Sequence, residues 1–316
     1  MSVVKIPIGI SACLMGEEVR HNGGHKRDAY INGTLSSFFS FHHFCPEVGI
    51  GLGVPRPAIR LLATDRGIRA VGSRDSELDV TEQLVNYSRE QFPLIEQCSG
   101  MIVKRASPSC GMERVKVYND KNMPHPEGSG VFAAAIMEKF PLLPMEEEGR
   151  LGDPGLRENF VQRVFIYHRW QTEYANALTV KKLTEFHARH KLIYMSHDQD
   201  RSRELGRIAA TARNDNLDQV AADYIALAMA TLKKVASRKN HVNVLQHIQG
   251  YLKKQLDADD KQELVEVFER YRQGEIPLIV PITLLRHHFR KVPDDYINQS
   301  WYMNPYPEEL KLRNLV

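Results

Sequence analysis

The stretch Phe44-Cys45-Pro46-Glu47-Val48-Gly49-Ile50-Gly51-Leu52 places a thiol, a rigid proline and a carboxylate within three positions, with glycines behind them. It reads as a strand end that opens into a loop. Two other segments have the same form. Ile8-Gly9-Ile10-Ser11-Ala12-Cys13-Leu14 is a short apolar run that ends on a cysteine, and Met101-Ile102-Val103 leads into Ser107-Pro108-Ser109-Cys110-Gly111. Short apolar runs bounded by Gly, Pro and Ser predict buried strands. Strands of one parallel sheet open their loops on a common crevice at their carboxyl ends. Cys13, Cys45 and Cys110 are therefore expected to converge.

Working outward, residues 5–12 predict a first buried strand, and 35–43 a short helix leading into a strand at 43–45. A β-hairpin is expected over 60–71 with Asp65-Arg66-Gly67 as its turn. Helical spacing of Leu78, Leu84, Val85, Phe92 and Ile95 predicts a helix over 77–98, and a further helix is expected over 129–140. Composition changes at 141–155, where Pro141, Pro144, Glu146-Glu147-Glu148, Gly149, Gly152, Pro154 and Gly155 predict a linker or a domain seam. The fold class is thus an α/β N-terminal domain over 1–145, Rossmann-like with a mainly parallel sheet, followed by an all-α helical domain over 156–316. Helices are expected over 156–176, 180–192, 199–213, 216–236, 241–256, 259–273 and 280–290. Asp259-Asp260 reads as a helix start, and Gly274 followed by Pro277 as a stop.

A chain of 316 residues with 42% hydrophobic and 26% charged content is long enough for two soluble cores. Four cysteines are too few for a disulfide-stapled scaffold. No leader pattern and no apolar run of about 18 residues is present, which predicts a cytoplasmic protein with no membrane segment. The net charge of +3 is concentrated in a mildly basic C-terminal half.

Three loop cysteines without a C-x-x-C pair leave the metal open. Iron–sulfur clusters are held by thiolates. Zinc, with a water or a histidine such as His42 or His43, is the rival. Cys98 sits on a predicted amphipathic helix and reads as a small buried hydrophobe. Glu47 lies two residues from Cys45 across a fixed proline, where a carboxylate could orient or deprotonate a water. Ser107 and Ser109 could hydrogen-bond a substrate or serve as turn-makers. Arg20, His21, Asn22 and Lys26 form a donor-rich loop beside Cys13 that suits a base, a phosphate or plain solvation.

Taken together, Ser11-Ala12-Cys13-Leu14, Val19-Arg20-His21-Asn22-Gly23, Cys45-Pro46-Glu47, Pro55-Arg56-Pro57 and Ser107-Pro108-Ser109-Cys110-Gly111 resemble the thiouracil desulfidase (TudS) family over roughly residues 5–140. The resemblance implies a 4Fe–4S cluster on Cys13, Cys45 and Cys110 with one open iron that takes the sulfur of a thiolated uracil. It also implies assistance by Glu47 and Ser107, with Ser109 as the alternative; the loop of Arg20, His21, Asn22 and Lys26 is the candidate substrate contact beside Cys13. His21 departs from the family, which often has an aromatic or other residue there. The segments His190-Lys191-Leu192, Asn243–Tyr251, Tyr271-Arg272-Gln273-Gly274, Pro277–Pro281 and Tyr302–Pro307 resemble the YbgA-type helical domain. Proteins of this two-domain arrangement, the RudS type, look like desulfidases that convert 4-thiouridine in tRNA to uridine and release sulfide. The helical domain is then the expected tRNA holder.

The helices carry basic runs at Lys181, Lys182, Arg189 and Lys191, at Lys233, Lys234, Arg238 and Lys239, at Lys253 and Lys254, and from Arg286 to Lys291. These would neutralise phosphates, with Tyr251, Trp301 and Tyr302 available to stack on bases. The competing expectation is an iron–sulfur protein that binds RNA or senses redox state without desulfidase turnover.

Overall fold

The computed structural model describes residues 5–175 and 177–314. The chain divides into two compact units, Met1–Asp153 and Pro154–Val316. No helix among the described residues is long and apolar enough to cross a membrane.

Among the described residues the first unit holds eight strands: β1 (Ile6–Ser11), β2 (Phe39–Phe44), β3 (Ile59–Thr64), β4 (Gly67–Gly72), β5 (Met101–Val103), β6 (Val115–Tyr118), β7 (Pro124–Gly128) and β8 (Met145–Glu147). Its helices are α1 (Ala29–Gly33), α2 (Pro46–Gly49), α3 (Thr81–Ile95) and α4 (Val131–Lys139). One sheet has the order β2-β1-β5-β8 and is parallel throughout. β1 and β5 lie inside it, so both their faces are covered. That is why their sequences are unbroken apolar runs rather than alternating ones. Ile8, Ile10, Ile102 and Val103 are fully buried. Each such side chain contributes roughly 1.5–3 kcal/mol by burial.

A second sheet, β4-β3-β6-β7, joins β3 and β6 in parallel between two antiparallel hairpins. The β3–β4 hairpin turns between Thr64 and Gly67, as its Asp-Arg-Gly signal predicts. Ile59, Leu61, Val115 and Val117 of this sheet pack against Val80 and Leu84 of the α3 region. β6 and β7 are absent from the sequence reading, because Lys116, His125 and Glu127 interrupt any apolar run there.

Two expectations in this unit are corrected. Residues 35–43 are mostly strand: only Leu35–Ser37 form a single helical turn, and β2 begins at Phe39. Aromatic residues buried at both ends of β2, Phe39 and Phe44, fit a pleated surface better than a helix. The span 141–155 is not a free linker, although the two compact units divide near its end, between Asp153 and Pro154. β8 pairs with β5, and Glu146 and Glu147 are 3% exposed. An acidic run is tolerated inside because Glu146 accepts from Arg150 Nε at 2.6 Å, and Glu147 accepts from the amides of Met112 and Glu113.

The second unit is helical: α5 (Pro154–Ala175), α6 (Val180–His197), α7 (Gln199–Ala210), α8 (Leu217–Leu232), α9 (Arg238–Gln249), α10 (Ala258–Gln273), α11 (Ile279–Lys291) and α12 (Asp295–Gln299). Helix starts coincide with side-chain caps. Thr179 accepts from Lys182 N, Asp198 from Asp200 N and Arg201 N, and Ser237 from Asn240 N. At α10 the cap is Asp257, and Asp259-Asp260 occupy the first turn. Gly274 ends α10 with φ +84°, which a residue bearing a Cβ adopts only at a cost.

Candidate active site

Cys13 lies in the helical turn after β1, Cys45 caps α2 directly after β2, and Cys110 lies on the loop after β5. β2, β1 and β5 are neighbours in the parallel sheet, so their carboxyl ends bring the three thiols to one place. All three line a single cavity of about 200 Å³ with Ser11, Arg20, Glu47 and Arg56. They are free thiols, and Cys13 and Cys110 are buried. Burial pushes the Cys13 thiol up to about 11, helped by Cys45, and the Cys110 thiol up to about 12, helped by Glu47 and the other two thiols. Cys45 is raised by burial as well. The three thiols, two buried and Cys45 half-buried, feel one another across the cavity, while no three His, Cys, Asp or Glu side chains among the described residues form a group that could hold a metal ion as they stand. Such thiols release their protons when a cation binds. Cys98 is buried but outside this cavity, with its Sγ 3.5 Å from the Leu94 carbonyl oxygen.

The Glu47 carboxylate is held on both oxygens. Ser109 Oγ donates to Oε1 at 2.6 Å, and Arg56 Nε donates to Oε2 at 2.9 Å. The Arg56 side chain is 3% exposed and the Glu47 side chain 13%. Arg56 also donates to the carbonyls of Gly53 and Val19, and its amide to that of His21. One side chain thus ties α2 to the loop that follows Cys13. Cys45 Sγ also points at the Val19 oxygen, 3.7 Å away.

The two serines separate by role. Ser109 contacts the carboxylate and is 1% exposed. Ser107 Oγ accepts from the amides of Ser109 and Cys110, shaping the turn, and lies 3.1 Å from Ser109 Oγ. Of the loop after Cys13, Arg20 and His21 reach the cavity wall, but Asn22 and Lys26 do not. Asn22 Oδ1 accepts from the Gly24 amide and so builds its own turn. Lys26 serves through its backbone, which donates to the Cys13 carbonyl at 2.8 Å, and its side chain is exposed.

Several residues of the site carry little or no sequence signal. Arg56 appears there only as part of a Pro-Arg-Pro motif. Lys104 lines the cavity and pairs with Glu148, and its amide donates to Ser11 Oγ. Glu148 also accepts from the Arg105 amide at 2.7 Å. The acidic run on β8 therefore fastens both ends of the loop that carries Cys110. Ala106, just before Ser107, sits in the left-handed region at φ +58°, a strained position for alanine. From the other side the loop caps α4: the Ser109 carbonyl accepts from the Phe132 and Ala133 amides. A Cβ on Gly130 would stand 2.5 Å from the Ser109 backbone, so only glycine permits this approach.

Residues 8–148 match the family described as 2-thiouracil desulfurase, and residues 191–307 match a family described as a protein of unknown function (DUF1722). The uncharacterized protein YbgA of Escherichia coli (strain K12) is 31% identical over 153 residues, covering 48% of this chain and 90% of YbgA. The chain belongs to the YbgA family and carries a 2-thiouracil desulfurase domain. A solved structure described as the [4Fe-4S]-dependent thiouracil desulfidase TudS is 27% identical to this chain, with a TM-score of 0.38, covering 47% of this chain and 94% of TudS. The cavity of Cys13, Cys45, Cys110 and Glu47 lies wholly within the desulfurase match.

Proposed function

We propose that this member of the YbgA family is an iron–sulfur desulfidase that converts thiolated uracil, including 4-thiouridine in tRNA, to the oxygen form with release of sulfide. The observation that carries the reading is the single cavity in which three thiols meet a carboxylate anchored on both oxygens. The residues fit a cluster. Cys13, Cys45 and Cys110 would hold a 4Fe–4S group by three thiolates, and that group would supply an iron with affinity for the sulfur of the substrate.

The chain's own residues supply the rest. Net reaction exchanges a carbon–sulfur bond for a carbon–oxygen bond at constant electron count. Water provides the oxygen, and its two protons leave with the sulfur. Glu47 is the proton acceptor for that water. Ser109 and Arg56 fix its two oxygens, so the carboxylate needs no reorganisation when the water attacks. Arg20 and His21 offer donors to the uracil carbonyl at the cavity wall. Ser107 acts through the turn it shapes.

The helical unit supports the tRNA part of the reading through its exposed lysines, with Lys253 and Lys254 beside the exposed Tyr251. Tyr251 stacks on Tyr296 at 5.6 Å between ring centroids. The other two expected stacking residues are taken up by the fold. Tyr302 is fully buried, and Trp301 lies under the guanidinium groups of Arg169 and Arg189 at 3.7 and 4.5 Å.

The test is conversion of 2-thiouracil, 4-thiouridine and thiolated tRNA by anaerobically reconstituted protein, with sulfide measured. A Glu47→Gln variant should keep its iron and lose turnover. Turnover in that variant equal to the parent would remove the proton acceptor from the account. Iron without any conversion would favour the redox-sensing alternative.

A further inference from the structure

A second cavity, of about 120 Å³, lies within the helical unit. Its walls come from α5, the end of α6, the start of α9, the end of α10 and the C-terminal segment. Asn159, Gln162, His197, His241, Tyr271 and Arg313 line it, and each is more than nine-tenths buried. A helical core has no packing reason to gather six polar side chains in one place, since burying each without a partner is costly.

Their partners account for only part of their bonding capacity. Arg313 Nε donates to Glu158 Oε1 at 3.0 Å and Nη1 to the Tyr302 carbonyl at 2.7 Å, which fixes the guanidinium plane. Its Nη2 is buried with no partner. His241 Nδ1 lies 2.8 Å from the Tyr302 hydroxyl, which uses one ring nitrogen and leaves Nε2 over. The Tyr271 hydroxyl bonds to no described side chain or backbone group. Arg238 stands at the rim, in the first turn of α9, where the helix end favours negative charge. α6 and α10 turn their carboxyl ends this way, but those are capped: Asp198 N donates to the Tyr194 carbonyl and Glu275 N to that of Arg270.

Two arginines against the one carboxylate of Glu158 leave the lining net positive. Burial and the neighbouring Arg313 hold His241 neutral, and burial holds His197 down at about 4, so both rings are uncharged near neutral pH and leave that balance as it is. The groups with spare capacity are mostly donors: a guanidinium N–H, a phenol O–H and a rim arginine, beside an imidazole nitrogen whose role follows its tautomer. Such a set suits an anion with several oxygens, and the space accepts one of phosphate size.

We infer that this cavity of the helical unit, with Arg313, His241, Tyr271 and Arg238, is a binding site for a phosphate group. The site does not depend on the desulfidase reading. The phosphate has two possible sources, a free phosphate or phosphomonoester and a phosphodiester in a nucleic-acid strand, which share this chemistry.

The experiment is calorimetric titration of the full chain with inorganic phosphate, uridine monophosphate and a single-stranded oligoribonucleotide. Arg313 is bonded into the core, and its removal threatens folding, so the variants are Arg238→Ala and Tyr271→Phe. Arg207→Ala, an exposed charge outside the cavity, is the control. Inorganic phosphate should bind the parent, and affinity should fall about tenfold in Arg238→Ala and about threefold to tenfold in Tyr271→Phe. Arg207→Ala should bind like the parent. A free-ester site predicts that uridine monophosphate follows the same pattern while the oligonucleotide ignores Tyr271→Phe. A strand site predicts that the oligonucleotide follows both variants and competes with phosphate. No binding of any of the three, or equal weakening in Arg207→Ala, would overturn the proposal.

Discussion

The two units bury polar groups in different ways. In the first, buried polarity is gathered at the carboxyl end of one parallel sheet, where loops supply backbone partners. Glu147 accepts from two loop amides and Glu148 from a third, and Ser107 accepts from two more. In the helical unit most backbone groups are spent inside the helices, so buried side chains satisfy one another or reach the few carbonyls left at helix ends and turns, as Asn159 reaches that of Leu232 and His197 that of Lys234. His187 meets Tyr224, His197 meets Gln162, and His241 meets Tyr302. Strand-end loops can thus build a rigid site from very few side chains. A helical bundle needs a network, and its leftover capacity marks where a ligand belongs.

The sharpest break of this contrast is at the thiols. Replacing Cys13, Cys45 or Cys110 by serine should abolish iron incorporation and turnover, and Cys98→Ser should leave both intact, as read by iron content and desulfuration. Loss of iron in Cys98→Ser alone would mean that the strand-end cavity is not the centre. Next comes the anchored carboxylate. Glu47→Gln should lower turnover by roughly 10²–10⁴ while retaining iron, the usual range for a general base. Arg56→Lys keeps a charge but cannot hold Glu47, Gly53 and Val19 at once, and should lose part of that activity without loss of iron.

Gly130→Ala tests the close approach of α4 to the Cys110 loop. With a Cβ 2.5 Å from the Ser109 backbone, something must shift, and stability should fall by about 1–3 kcal/mol in denaturant melts. An unchanged midpoint would show that the loop yields freely.

Stability against pH separates the units as well. Every histidine with a shifted pKa lies in the helical unit, and all are shifted down by burial, His187 and His197 to about 4 and His190 and His241 well below the usual range. Below about pH 6.5 the unfolded chain takes up protons that the folded unit refuses. Stability of this unit is therefore full above pH 6.5 and declines as pH falls toward 4, by a few kcal/mol for a group buried like His197. Thermal melts should show it unfolding first on acidification. A helical unit that outlasts the first unit at pH 5 would contradict this.

The central sheet and the convergence of the three cysteines were legible in the sequence, because apolar runs ending in Gly/Pro/Ser loops leave few other topologies. Helix positions in the second unit were legible from spacing and caps. β8 was not, since three glutamates in a row read as solvent-facing until a guanidinium and backbone amides are placed around them. The choice between Ser107 and Ser109 was also hidden: both lie in one turn, and only the fold shows which hydroxyl meets Glu47. Tyr302 and Trp301 looked available because an aromatic in the sequence carries no mark of the arginines or core that will cover it.

The most direct test of the account is the iron and acid-labile sulfide content of anaerobically purified protein, set beside that of a Cys110→Ser variant. The account predicts near four irons and four sulfides per chain, lost in the variant. Zinc in their place, or no metal after reconstitution, would contradict it.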